Sequence, residues 1–124
     1  MKDQNPVHTV KKFNECINKK DLNGLDQLMA EDHVYIDRDG ARTKTKDIML
    51  PLWKQFFELF PDYQNTFTRI ESASDLVKIV GYAFWSEAQP LDNIIWTARI
   101  KDNLIQEWRT YDDTENNRRL LNLS

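Results

Sequence analysis

Between Asp47 and Phe60 the chain carries an apolar stripe too wide for an ordinary surface helix. Met49, Trp53, Phe57 and Phe60 fall on one ridge, and Leu52, Phe56 and Leu59 on the next. Pro51 belongs in a first helical turn and Pro61 cannot continue a helix, so the helix is predicted to start near Asp47 and to end at Phe60. A helix of this kind needs cover on more than one side, and a curved sheet folded around it is the economical cover. The sequence supplies the strands. After Pro61 the apolar period changes from helical spacing to alternation. Tyr63 to Glu71, Leu76 to Glu87, Asn93 to Lys101 and Leu104 to Asp112 read as strands of an antiparallel meander, separated by the turn-prone stretches SASD, QPLD and KDN.

Ahead of the aromatic helix, Asn5 and Pro6 suit a helix start, and Val7, Val10, Phe13 and Ile17 follow as one apolar stripe. Asp21 suits the cap of a second, short helix carrying Leu22, Leu25, Leu28 and Met29 and ending near Ala30. The β-forming run HVYID, His33 to Asp37, closes on the turn residues Arg38 to Gly40 and reads as one strand. Alternation places His33, Tyr35 and Asp37 on one face of it and leaves open whether that face or the one with Val34 and Ile36 turns inward. TENNRRLLNL, from Thr114, reads as a short terminal helix. Helices first and a meander after them make an α+β domain, and 124 residues leave room for one such domain only.

Charge and composition remove several classes of function. Seventeen Lys and Arg against twenty Asp and Glu give a formal net charge of −3, which excludes a general binder of nucleic acid or anionic membranes. No apolar run approaches the ~20 residues of a membrane span. The single cysteine, Cys16, cannot form an intrachain disulfide, and the N-terminal MKDQNPVHTV lacks the apolar centre of a secretion signal, so a cytoplasmic protein is expected. His8, His33 and Cys16 show no metal-ligand spacing, and Gly24, Gly40 and Gly81 match no phosphate or dinucleotide fingerprint, so no cofactor is expected.

Three stretches in this order, FNECINKKDLNGLDQLMAEDHVYID, WKQFFELFPDY and IIWTARIKDNLIQEWRTYDD, resemble the nuclear transport factor 2-like superfamily. Within it the chain is similar to the SnoaL-like and ketosteroid-isomerase-like proteins. The resemblance covers essentially the whole chain. It implies a conical α+β barrel, in which a strongly bent antiparallel or mixed sheet wraps around the N-terminal helices and encloses an apolar pocket. It also implies a homodimer, with the outer sheet face as its interface. The superfamily includes isomerases, cyclases, hydrolases, dehydratases and non-catalytic modules, so the fold does not choose among them.

Asp37 is the leading catalytic candidate. A carboxylate at the end of a short apolar strand is able to point into an enclosed space, where desolvation makes it a better base near neutral pH. The resemblance places Asp37 where ketosteroid-isomerase-like proteins carry their general base. The competing reading is an Asx-type turn formed with Asp39 and Gly40. Asp113, five residues beyond Trp108, resembles an acid or base of SnoaL-like and epoxide-hydrolase-like members. Its neighbour Asp112 takes that place after a one-residue slip, and both suit the cap of the terminal helix. His33 reads either as a proton shuttle beside Asp37 or as a surface residue. The binding wall for a small apolar molecule is assigned to Phe13, Trp53, Phe57, Tyr63, Trp96 and Trp108, with core packing as the alternative for the rings and a dimer interface as a further one for Trp108.

Two departures narrow the chemistry. Phe13 and Trp96 stand nearest the positions where the isomerases place the oxygen donors that hold an enolate, and neither is such a donor. LVKIVGYAFWSE lacks the arginine and central aspartate that epoxide hydrolysis requires. The cluster Arg38, Arg42, Lys44 and Lys46, interleaved with Asp37, Asp39 and Asp47, reads as a solvated loop at the pocket mouth. The expectation is a domain that binds a small molecule, acting as a cofactor-independent isomerase or cyclase through carboxylate acid-base chemistry on an apolar, carbonyl-bearing substrate. The alternative is a non-catalytic module for ligand or protein binding.

Overall fold

The computed structural model describes residues 5–123 and orders the chain as α1 (Pro6–Lys19), α2 (Leu22–Leu28), β1 (Met29–Ile36), β2 (Arg42–Lys44), α3 (Lys46–Leu59), β3 (Gln64–Ala73), β4 (Leu76–Phe84), β5 (Asp92–Lys101), β6 (Leu104–Asp112) and α4 (Glu115–Leu120). The caps follow the local sequence. Asn5 accepts hydrogen bonds from the amides of Val7 and His8, and Asp21 from that of Gly24. Thr114 caps α4 by accepting from the Asn117 amide, a role the sequence assigns to Asp112 or Asp113. Pro51 stands inside α3 beyond its first turn, where it leaves the Asp47 carbonyl without a helical partner.

Six strands form one mixed sheet in the order β2-β1-β6-β5-β4-β3. β3 to β6 form the antiparallel meander, β1 joins it in parallel beside β6, and β2 pairs antiparallel with β1. The architecture is the expected α+β cone, but the sheet is open and does not close into a barrel. β2 has only three residues, and it and β3 remain the unpaired edges. α1 packs against β3, and α3 against β1 and β2. The expected basic loop is in part this edge strand, because Arg42 to Lys44 pair with Val34 to Ile36.

The main core lies on the concave face. Val10, Phe13 and Ile17 of α1 are fully buried, and so are Val77, Ile79, Ala83, Ile94, Trp96, Ala98 and Trp108 of the sheet, or within 1% of it. Each large side chain buried this way contributes roughly 1.5–3 kcal/mol. α3 buries Met49 and Phe57 here, but its outer ridge is freer than the pattern suggests: Leu52 is 44% and Leu59 67% exposed. A second, small cluster occupies the other face of the sheet, where Val80 and Ile95 meet Leu123, with Tyr111 and Leu121 beside them. The Lys78 ammonium donates to the Leu121 carbonyl at 2.7 Å, so the C-terminal segment covers part of that face. Trp108 is 1% exposed and lies on the concave side, which removes it from any interface on the outer face. Among the described residues no helix is long and apolar enough to cross a membrane.

Candidate functional site

Between α3 and the concave sheet face lies a cavity of about 390 Å³. Its position follows from register. Tyr35 of β1 pairs with Trp108 of β6, and Thr110 of β6 with Trp96 of β5, so strand alternation points all four side chains toward α3. Leu52, Trp53 and Phe56 of α3 form the opposite wall. Tyr63 and Asn65, at the start of β3, and Trp85, just past β4, form a third. The mouth is the turn after β1, with Asp37, Arg38 and Asp39. Inside and outside of β1 are thereby settled: Tyr35 lines the cavity, and Ile36 takes the other face beside Arg109.

Four of the six residues assigned to the wall, Trp53, Tyr63, Trp96 and Trp108, line this cavity. Phe13 and Phe57 do not. Phe13 is fully buried behind the wall, 4.8 Å from the Trp108 ring and 6.3 Å from that of Trp53, and Phe57 packs 5.6 Å from Trp53. Both lie on the core side of rings that face the cavity, because the apolar stripe continues past the residues that reach it. Phe56, Tyr63 and Trp85 form a mutual edge-to-face cluster with centroids 4.8 to 5.6 Å apart, which fixes the far wall.

The catalytic candidates scatter. Asp37 lines the cavity, but its Oδ1 accepts from the amides of Asp39 at 2.9 Å and Ala41 at 3.0 Å, which is the Asx-type turn. Its Oδ2 accepts no hydrogen bond from a described residue. Asp113 does not line the cavity. Its carboxylate accepts from Arg118 Nε at 2.7 Å and Nη2 at 2.9 Å, and that guanidinium holds the carboxyl below its ordinary range. Its neighbour Asp112 binds Arg38 at 2.8 Å. His33 is neither on the surface nor at the cavity: it is fully buried, its ring 6.4 Å from that of Phe13. Its Nδ1 donates to the Ile105 carbonyl at 2.9 Å, and its Nε2 is buried without a partner. Burial lowers its pKa, opposed by the Ile105 bond and the charge of Asp32. A shift in the register of β1 between Met29 and Val34 accompanies this inward placement.

Several site residues escape the sequence reading. Arg38 binds Asp92 through both guanidinium nitrogens, and Trp85 Nε1 donates to the same carboxylate at 3.0 Å. Burial pushes the Asp92 carboxyl up, but the bonds from Arg38 and Trp85 outweigh it and hold it below its ordinary value. This ion pair ties the turn after β1 to the start of β5. No local pattern announces it, since Arg38 stands in the turn after β1 and Asp92 opens β5, more than fifty residues on. Tyr35 and Thr110 share a hydrogen bond at 3.3 Å between their hydroxyls, and Thr110 follows from the alternation that places Trp108. Burial pushes the phenols of both Tyr35 and Tyr63 above their ordinary values. On two further lining residues, Trp53 Nε1 and Asn65 Oδ1 are buried unpaired, a state that costs about 1–3 kcal/mol each. Among the described residues no three His, Cys, Asp or Glu side chains come together as a metal site.

The arrangement is an aromatic chamber with hydroxyl and amide groups inside and a carboxylate at its mouth. Solved structures share the architecture. IdmH of Streptomyces antibioticus, a candidate polyketide cyclase, superposes with a TM-score of 0.74 at 23% identity over 89% of this chain and 93% of its own. An LEH-like epoxide hydrolase of M. tuberculosis gives 0.74 at 16% identity over 87% and 82%. An NTF2-like protein of unknown function from Cytophaga hutchinsonii gives 0.75 at 11% identity over 98% of both. No curated protein matches the sequence. The signature of the SnoaL-like domain matches residues 10–108, from the middle of α1 to the tryptophan on the closing strand. The chain belongs to the SnoaL-like domain family.

Proposed function

We propose that this domain takes a flat, apolar, carbonyl-bearing molecule into the aromatic cavity and acts on it as a cofactor-independent isomerase or cyclase. The observation that supports this reading is one chamber holding both the rings of Trp53, Trp96 and Trp108 and the carboxylate of Asp37 at its mouth. Asp37 Oδ2 takes the proton from the carbon beside the carbonyl. The C–H pair becomes the new C=C bond, and the carbonyl π pair moves onto oxygen. Return of the proton at another carbon completes an isomerisation; alternatively the enolate carbon attacks a second carbonyl, whose π pair moves onto its oxygen and takes the proton back from Asp37, completing a cyclisation. Neighbours of the same fold include a candidate polyketide cyclase and an epoxide hydrolase, which agrees with an acid-base role for the chamber.

The Asx turn favours a second reading. A carboxylate whose Oδ1 is held by two backbone amides has a structural reason to be there without chemistry, and the domain is then a binding module. One probe separates the two. 2-Acetylnaphthalene is added to the protein in D2O, binding is followed by tryptophan fluorescence, and exchange of the methyl protons by NMR. Saturable binding with exchange that Asp37→Asn abolishes supports the enzyme. Binding without exchange supports the module, and absence of binding overturns both. The expected homodimer through the outer sheet face is tested by light scattering on the same sample.

A further inference from the structure

The polar atoms inside the cavity define what kind of oxygen it receives. Tyr35 and Thr110 share one hydrogen bond, and each hydroxyl has a single proton. Whichever of them donates, one of the two protons is left over, and no described residue accepts it. Tyr63, just before β3, lines the same chamber and is 6% exposed; the Asn65 side chain hydrogen-bonds it in the sense that lowers the phenol's pKa, as an amide N–H donating to the phenol oxygen does, and Asn65 Oδ1 accepts nothing. The chamber therefore offers at least two hydroxyl protons without acceptors. Arg38 is the one cation among the lining residues, and it is already committed to Asp92 and Asp112, with Asp37 and Asp39 beside it. The site presents donors but no spare positive charge.

We infer that the hydroxyls of Tyr35, Tyr63 and Thr110 form the seat for the carbonyl oxygen of an uncharged ligand. The inference rests on the reading that the cavity takes a carbonyl compound. A neutral ketone or aldehyde fits because its oxygen accepts up to two hydrogen bonds and needs no counter-ion, whereas a carboxylate or phosphate is left with an unmatched charge among the rings. The same donors strengthen as negative charge grows on that oxygen. Burial keeps both phenols protonated across the working pH range, and Tyr35 further opposes ionisation of Tyr63, so the donors stay in place.

The test uses 2-acetylnaphthalene labelled with carbon-13 at the carbonyl. Isotope-edited infrared spectra of the ketone bound to the wild-type protein are compared with spectra in hexane and in water. The expected carbonyl stretch lies well below the hexane value, and Tyr35→Phe and Tyr63→Phe each return part of the shift while binding persists. The anionic isostere 2-naphthoate is expected to bind at least about tenfold more weakly. Bound ketone with the hexane frequency in the wild-type protein overturns the inference and leaves the binding reading intact. So does an unchanged frequency in the Tyr35→Phe/Tyr63→Phe double variant, or naphthoate binding as tightly as the ketone. Failure of the ketone to bind at all removes the binding reading itself. Because the wild-type spectrum is decisive alone, a variant that fails to fold does not rescue the inference.

Discussion

His33 makes the stability of this domain depend on pH in a narrow window. The ring is fully buried, Nδ1 donates to the Ile105 carbonyl, and Nε2 has no partner to receive a second proton's charge. Burial lowers the folded-state pKa below the ordinary 6.5. Above 6.5 the folded and unfolded chains are both neutral at this residue, and its contribution is fully present. As the pH falls through 6.5 the unfolded chain binds a proton that the folded chain refuses, so stability declines until the folded pKa is reached. One proton limits the slope to about 1.4 kcal/mol per pH unit. Asp92 and Asp113 have folded pKa values below their ordinary 3.8, and the stability they contribute is lost only as the pH falls below that value, which leaves the interval from 6.5 to 5 to His33. Urea titrations followed by tryptophan fluorescence at pH 7.5, 6.5, 5.5 and 5.0 measure the slope. His33→Asn keeps an N–H for the Ile105 carbonyl and cannot titrate, so its curve is expected to be flat over the interval. A wild-type midpoint that does not move between pH 6.5 and 5, or an equal decline in His33→Asn, would refute the assignment.

Three further outcomes follow from particular contacts. Gly81→Ala is expected to lower stability by about 1–3 kcal/mol in denaturant titration, because a Cβ there would lie 2.0 Å from the Thr66 carbonyl oxygen, and backbone cannot yield cheaply. Asp37→Asn is expected to leave the denaturation midpoint unchanged, since the amide oxygen still accepts from Asp39 and Ala41. Asp37→Ala is expected to cost about 1 kcal/mol, and an equal loss in both variants would contradict the turn. Asp92→Asn removes the ion pair with Arg38 and keeps an acceptor for Trp85. Urea titration is expected to show a loss of about 1 kcal/mol at pH 7 that narrows below pH 4, where the wild-type carboxylate is itself protonated.

Local order was readable because it is written in nearest-neighbour chemistry. Asn5 and Asp21 cap helices through their own side chains, and alternation with a flanking turn bounds the strand Leu104–Asp112 as the structure has it. The apolar stripe and its prolines place the aromatic helix within one residue at each end. Errors appear where a long-range partner overrides the pattern. Arg42 to Lys44 look like a loop because three charged or polar residues carry no strand signal, and they become a strand only by pairing with β1. His33 follows two acids and looks solvated, yet the parallel pairing with β6 brings the Ile105 carbonyl to its Nδ1.

The site divides along the same line. Periodicity identifies Trp53, Tyr63, Trp96 and Trp108 as rings on inward faces, since burial is a property each residue's spacing reports about itself. It does not rank depth along an inward face, and Phe13 and Phe57 therefore stand behind the wall rather than in it. Asp113 turned on which charge lies near it. Arg118 sits one helical turn into α4, and the ion pair takes the carboxylate out of the chamber. Arg38, Asp92 and Asp112 come from the turn after β1, the start of β5 and the end of β6, and Tyr35 and Thr110 from strands at opposite ends of the chain. Amino-acid order carries the α+β architecture and the apolar chamber, because hydrophobic period is local. Which hydroxyls and charges meet inside that chamber depends on strand register across the sheet, a quantity that exists only once distant segments have paired.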